Sequence, residues 1–409
     1  MTIVIKNQRG IALVITLLVI ALLTITVIEF TYSVQVDQHM AHNALSGLQA
    51  SLLARSGINL GEAFLLHDDK FDVDAFTEEW CPDPGVDGHS CHIDETNGQV
   101  LLPQNMRLRV QIVDEGGKLN LNSVRFRNPG EWNNWRRTRD GDPKLQPHPL
   151  VDWKTAFEQL LSSRGLDPTI ADQVFDYWDA VFQARFPSAN PGGPVPTQGQ
   201  ATPVVTPGGV NDPATLAQLQ QLEFASLDDA AVIPGLTASA IHKLRPVLAA
   251  LPNTQRTVNA NTAPAEVLRA IVDDEEVVSN ILAQRSQTPL KQADLIPLLA
   301  GLNKPNATSR SFAAQMLGVT SQFFQVRASG VVNPNPVTGR GGIGRSAAML
   351  VRRVRRTTPQ GSSASVVPWT LTQLDWQKEG GAVLFQPQGD QEPGTEDQQA
   401  VPGSSKQGG

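Results

Sequence analysis

Eighteen consecutive residues near the N-terminus, Ile11 to Ile28, carry no charge, and Thr16, Thr24 and Thr26 are their only polar members. As a helix the run spans about 27 Å, the thickness of a bilayer core. Lys6 and Arg9 precede it, no acidic residue does, and Glu29 ends it. Positive charge before a span predicts a cytoplasmic N-terminus and an exported body. No second run of this length follows, which excludes a multi-span membrane protein. The chain has 409 residues, enough for two or three folded units. Its formal charge of −7 argues against a general nucleic-acid binder.

Three readings of the apolar run compete. A secretory signal peptide has a shorter apolar stretch, of roughly 7–15 residues, with a small-residue cleavage site after it. No such site follows Glu29. A plain anchor fits the length and leaves the Gly10–Ile11 junction without a role. The third reading is a prepilin-type signal. The junction QRG–IALVITLLVIALLTITVIEF resembles that class, in which a short basic leader is cut before the apolar helix. Processing then falls between Gly10 and Ile11, and the new Ile11 amine is methylated. Most members of the class place a Glu five residues into the mature chain; here that position is Ile15.

No proline interrupts the chain from Phe30 to Leu66, and apolar residues recur at helical spacing through Val34, Met40, Leu45, Leu48, Leu52 and Ile58. This predicts one helix from Ile11 to about Leu66, its second half amphipathic and packed on a globular head. Gly47, Gly57 and Gly61 weaken it locally.

Residues 67–100 are polar and rich in turn formers, and hold Cys81 and Cys91 with His89 and His92 beside them. In an exported body the two cysteines are expected to form a disulfide. A zinc site and free thiols are the alternatives, although the spacing is not an established zinc pattern. Met106 to Asp114 alternates as a strand, Glu115-Gly116-Gly117 reads as a turn, and Lys118 to Asn122 alternates again, predicting a β-hairpin. Helices are expected over Trp153 to Arg164 and Pro168 to Phe186. Residues 187–213, with seven prolines and five glycines, read as a flexible loop.

Ser226 to Asp229 resembles a helix start, and Ile233-Pro234-Gly235-Leu236 a tight turn into a helix of about Thr237 to Leu251. A related unit begins at Asn259, with Thr262 as cap, Pro264 in the first turn, and a helix to about Val272. Such helix–hairpin–helix units often bind DNA backbone. Between Asp212 and Leu302, however, six basic residues face ten acidic ones, a net charge of −4 that repels phosphate. A packed helical module for protein contacts is the reading that follows. Phe323 to Val332 and Ala347 to Val354 read as strands, and Arg352, Arg353, Arg355 and Arg356 as a solvated strand edge.

The sequence holds no nucleophile elbow, Walker loop, H-E-x-x-H or EF-hand, so no enzymatic activity is expected. Asp176 and Asp179 lie three apart on a helical segment. They are the weak candidates for a Ca²⁺ site; the alternative is a solvated helix face.

Taken in order, QRG–IALVITLLVIALL without Glu at Ile15, DEGGKLNLN (114–122), ASLDDAAVIPGL (225–236), NANTAPAEVL (259–268) and LGVTSQFFQVRASG (317–330) resemble the type II secretion system protein K family over about residues 8–357. The resemblance implies an α+β fold: a pilin-like long N-terminal helix on a small antiparallel sheet, with a large all-α domain inserted between strands. The expected organisation is a leader at 1–10 and a long helix at 11–66 with 11–28 transmembrane. A pseudopilin core at 67–122 and 321–357 is interrupted by a helical insert at 123–320, and 358–409 forms a mostly disordered tail. The family further implies a minor pseudopilin at the pseudopilus tip, with minor pseudopilins I and J, the major pseudopilin and prepilin peptidase as partners. Its location would be the inner membrane, single-pass, with a periplasmic body. Some members bind calcium, and no family ligand set maps onto this chain. A membrane-anchored DNA-binding module and a type IV minor pilin are the alternatives.

Overall fold

The computed structural model describes residues 9–70, 72–85, 90–94, 100–124, 129–139, 149–185, 223–252, 256–302, 307–333, 342–355 and 369–377. Residues 1–8 of the leader and the Pro-rich stretch 187–213 lie outside them.

Helix α1 (Arg9–His67) is continuous over 59 residues, about 88 Å at 1.5 Å per residue. Strands β1 (Cys91–Asp94) and β2 (Met106–Asp114) then pair antiparallel. Leu108, Val110 and Ile112 point alternately to the buried face of β2, as a period of two requires.

After Asp114 the chain leaves the sheet. Asp114 caps a single 3₁₀ turn, Glu115–Gly117, by accepting the Gly116 N–H. Lys118 Nζ closes on Glu115 Oε1 at 2.6 Å in the buried turn. Strand β3 (Leu119–Asn120) runs parallel to β4 (Leu248–Ala249), not back along β2. The expected hairpin is therefore corrected: one edge of β2 is taken by β1, the other by β7 (Phe323–Val332), some 200 residues downstream. No edge remains for Lys118–Asn122.

Between β2 and β7 lies the helical insert. Helices α2 (Pro129–Arg139), α3 (Pro149–Ser163) and α4 (Ile170–Arg185) enclose an aromatic core of Trp132, Trp135, Trp153, Phe157, Phe175, Trp178 and Phe182. The expected helices over 153–164 and 168–186 correspond to α3 and α4. A 3₁₀ segment, Leu227–Val232, starts where Asp229 accepts the Ser226 N–H, and leads into α5 (Ala238–Leu244). That helix ends seven residues before the expected Leu251, because the chain is drawn into β4. Strand β5 (Val258–Asn259) precedes α6 (Ala265–Val272), α7 (Glu275–Gln287), α8 (Gln292–Ala300) and α9 (Ala307–Met316). Strand β6 (Leu317–Gly318) then closes parallel on β5. Thr262 does not cap α6: its hydroxyl is committed to Asp114, and Pro264 stands at the cap position. The insert is thus helical with two short parallel strand pairs rather than purely α.

Strand β7 returns to the sheet, followed by β8 (Ile343–Arg355) and β9 (Trp369–Gln377), giving the antiparallel order β1-β2-β7-β8-β9. Strand β9 lies inside the stretch read as a mostly disordered tail; the rest of 358–409 lies outside the described residues. The fold is α+β: α1 across one face of the sheet, and a helical insert between its second and third strands in space. Ala249 and Leu251 of the insert meet Phe323 and Leu350 of the sheet in a small shared core.

Candidate functional site

The first half of α1 offers its apolar side chains to the surroundings on every side. From Leu13 to Tyr32 all are exposed, and none of the apolar window is buried. Thr16, Thr24, Thr26 and Thr31 donate their hydroxyls to carbonyls three or four residues back, at 2.8–3.0 Å. Their polarity is satisfied inside the helix, so they do not oppose a hydrocarbon environment. This is the one described helix long and apolar enough to cross a membrane, its most apolar 18-residue window having a mean hydropathy of 2.7. Gly10 and Ile11 lie in its first turn, and Ile15 is exposed.

The second half has two faces. Ser46, Ala50, Ala54, Ile58, Gly61 and Leu65 repeat every three or four residues and are buried on the sheet. Gly57 and Gly61 set the spacing. A Cβ on Gly57 would stand 2.7 Å from Ala328 Cβ, and one on Gly61 2.5 Å from Val326 Cγ1. These glycines weaken helix propensity and in exchange let the helix lie against β7. On the opposite face Leu45, Leu48 and Leu52 are each more than half exposed. Apolar side chains therefore continue on this face as far as Leu52, after which Arg55, Ser56 and Asn59 are exposed.

Where α1 ends, a buried charged cluster ties it to the sheet. The carboxylates of Asp68, Asp74 and Glu78 each offer an oxygen within 4.8 Å of the others. Arg353 of β8 enters this group. Its Nη1 lies 2.9 Å from Asp68 Oδ2, its Nη2 meets Asp74 Oδ1, and its guanidinium sits 4.6 Å from the Phe324 ring centroid. Arg353 is 1% exposed, which corrects the solvated-edge expectation for this position. Two facts explain it. Strand β9 covers β8, so β8 is no edge. Arg353 is also in phase with Ala347, Met349 and Val351, all facing the core under α1. Arg352, on the other face, lies 5.8 Å from the Phe323 ring; Arg356 and the Arg355 side chain lie outside the described residues. Burial lowers Arg353 to about 10, still charged at neutral pH. Glu78 accepts the Ala75 N–H at 3.0 Å, and burial, only partly offset by that bond, raises it to about 7.

Asp74 passes the tie onward. Its Oδ2 accepts the Ser321 N–H at 2.6 Å and its carbonyl accepts from Asn259 Nδ2 at 2.9 Å. Asp114 Oδ2 accepts from Thr262 Oγ1 at 2.5 Å, Ser321 Oγ at 2.7 Å and Asn259 Nδ2 at 3.0 Å. Burial pushes the Asp114 carboxyl above the ordinary range, and these donors pull the other way. Both ends of the insert are thereby fixed to the sheet. Sequence reading missed this network. Its one visible signal is the repeated Asn-x-Asn: Asn120 and Asn259 each accept the N–H two residues on, while Asn122 and Asn261 clamp the backbones of Phe224 and Leu290.

The expected sites fare differently. Cys81 and Cys91 come together, with burial and the neighbouring Cys91 raising the Cys81 thiol. Both are buried free thiols in this structure. His92 is engaged with Ser90 Oγ at 2.9 Å, and His89 lies outside the described residues. Asp179 accepts the Trp132 indole N–H at 2.5 Å, and Asp176 is exposed. The calcium implied by the resemblance also fits poorly at Asp68, Asp74 and Glu78. A hard cation needs six or more oxygens, and a guanidinium already takes two of these carboxylates.

Both hairpin turns are ill suited to phosphate. A Cβ on Gly235, at φ +84, would collide with Gln173 and Ile170, so this turn is packed against α4. The second turn places Asp273 in the left-handed conformation, followed by Asp274, Glu275 and Glu276.

Residues 258–320, the unit from β5 to β6, match the family model for Type II secretion system (T2SS), protein K. No curated protein matches the chain. Among solved structures it is similar to a chain of the GspK–GspI–GspJ complex from the enterotoxigenic Escherichia coli type 2 secretion system. Identity is 19% and the TM-score 0.46, over 84% of this chain and 98% of that one. Over the β5-to-β6 unit, then, the chain is similar to the type II secretion system protein K family.

Proposed function

We propose that this chain is a non-enzymatic minor pseudopilin at the pseudopilus tip, where with minor pseudopilins I and J it initiates assembly on the major pseudopilin for export across the outer membrane. The observation that carries the proposal is α1: one unbroken helix, apolar all round from Leu13 to Ile28, then bound to the sheet on one face while Leu45, Leu48 and Leu52 stand exposed on the other. A lone anchor has no use for the second exposed stripe, whereas a subunit that packs beside others does. On this reading prepilin peptidase cuts between Gly10 and Ile11, Ile11 is methylated, and the body stands in the periplasm on a single inner-membrane span. Ile15, lacking a carboxylate, needs no cationic partner from a subunit above it. In the oxidising periplasm Cys81 and Cys91 close into a disulfide. The test is co-purification of the detergent-solubilised chain with minor pseudopilins I and J. Stoichiometric recovery of both is expected. Recovery of neither, together with salt-dependent retention on DNA, would favour the membrane-anchored DNA-binding module instead.

A further inference from the structure

We infer that Arg353 is the resident cation of the Asp68–Asp74–Glu78 cluster, so that α1, the segment after it and β8 are locked together without a metal ion. Three buried carboxylates with oxygens inside 4.8 Å repel one another unless a positive charge stands among them. Two solutions exist, a divalent cation or a buried basic side chain. The chain takes the second. Arg353 comes from the middle of the sheet, 1% exposed, and its two terminal nitrogens divide between Asp68 and Asp74. Its planar fork suits two carboxylates better than a point charge does. Nη1 also reaches the Leu65 carbonyl at 3.4 Å, near the C-terminal end of α1, where a cation complements the helix dipole.

The third carboxylate is handled differently. Glu78 Oε1 faces Lys70 Nζ at 3.9 Å, beyond hydrogen-bonding distance, and Glu78 Oε2 takes the Ala75 N–H. One guanidinium against two aspartates leaves one negative charge, and burial favours the protonated form of Glu78, which keeps it from adding a second. Calcium at this place would have to displace Arg353 from both of its partners. The resemblance to a family with calcium-binding members therefore does not carry calcium to this cluster.

The test uses the full chain in detergent and reads the thermal unfolding midpoint with calcium chloride and with a calcium chelator. Wild type is expected to melt at the same temperature in both. Arg353→Met is expected to melt lower by on the order of 5–10 °C, because it strands two buried carboxylates. Calcium is expected to recover part of that loss. Should Arg353→Met fail to fold, Arg353→Lys, which keeps the charge and loses the fork, is expected to fold with a smaller, metal-independent loss. Two results would overturn the inference. One is a wild-type midpoint that falls in chelator, with Glu78→Gln abolishing the dependence. The other is an Arg353→Met chain as stable as wild type.

Discussion

Glu78 makes the stability of the body depend on pH in a definite direction. Its carboxyl is raised from the ordinary 4.5 to about 7, chiefly by burial. Between those values the folded chain holds a proton that the unfolded chain has released. Stability from this group is therefore complete below about pH 4.5 and lost as pH rises through 7. Asp68, Lys70, Asp74 and Arg353 are the charged groups that surround it. Unfolding midpoints from pH 5 to pH 8 should fall more steeply in wild type than in Glu78→Gln. Equal slopes would show that Glu78 is not desolvated. Gly61 gives a steric prediction. A Val there meets Val326 Cγ1 at 2.5 Å and Val110 Cγ1 at 3.3 Å, and should cost about 1–3 kcal/mol in chemical unfolding. An unchanged midpoint would mean that the helix does not lie on β7 as described.

Helix α1 carries its prediction on the face the sheet does not use. Leu48 and Leu52 are more than half exposed, so Leu48→Glu with Leu52→Glu should leave unfolding of the body within about 0.5 kcal/mol of wild type. The same pair should abolish recovery of partner pseudopilins. Loss of body stability instead would assign the stripe to an intramolecular contact. This helix was also the element most legible in the sequence, because eighteen uncharged residues followed by a proline-free amphipathic stretch admit few other structures. Helices α3 and α4 were legible for the same reason of period. The hairpin after Asp114 was not. Alternation shows that Lys118–Asn122 is extended, but which strand it joins depends on Leu248, some 130 residues away. Arg353 was half legible: its phase with Ala347, Met349 and Val351 marks a buried position, yet its partners Asp68 and Asp74 come from the segment that follows α1, some 280 residues earlier. The Asp114 hub assembles residues from 74, 259, 262 and 321, and no local pattern reports such a meeting.

At the scale of the whole molecule, the account describes a helical insert spliced into a small sheet that rides on a membrane-length helix. The insert is bonded to the sheet through Asp114 and Asn259, and the sheet to α1 through Arg353. The central claim is that α1 is a pseudopilin helix and not a plain anchor. It is tested most directly by the intact mass and N-terminal sequence of the chain co-expressed with prepilin peptidase. The account predicts a mature chain beginning at N-methylated Ile11. A chain that still begins at Met1, while the same peptidase processes a control substrate, would contradict it.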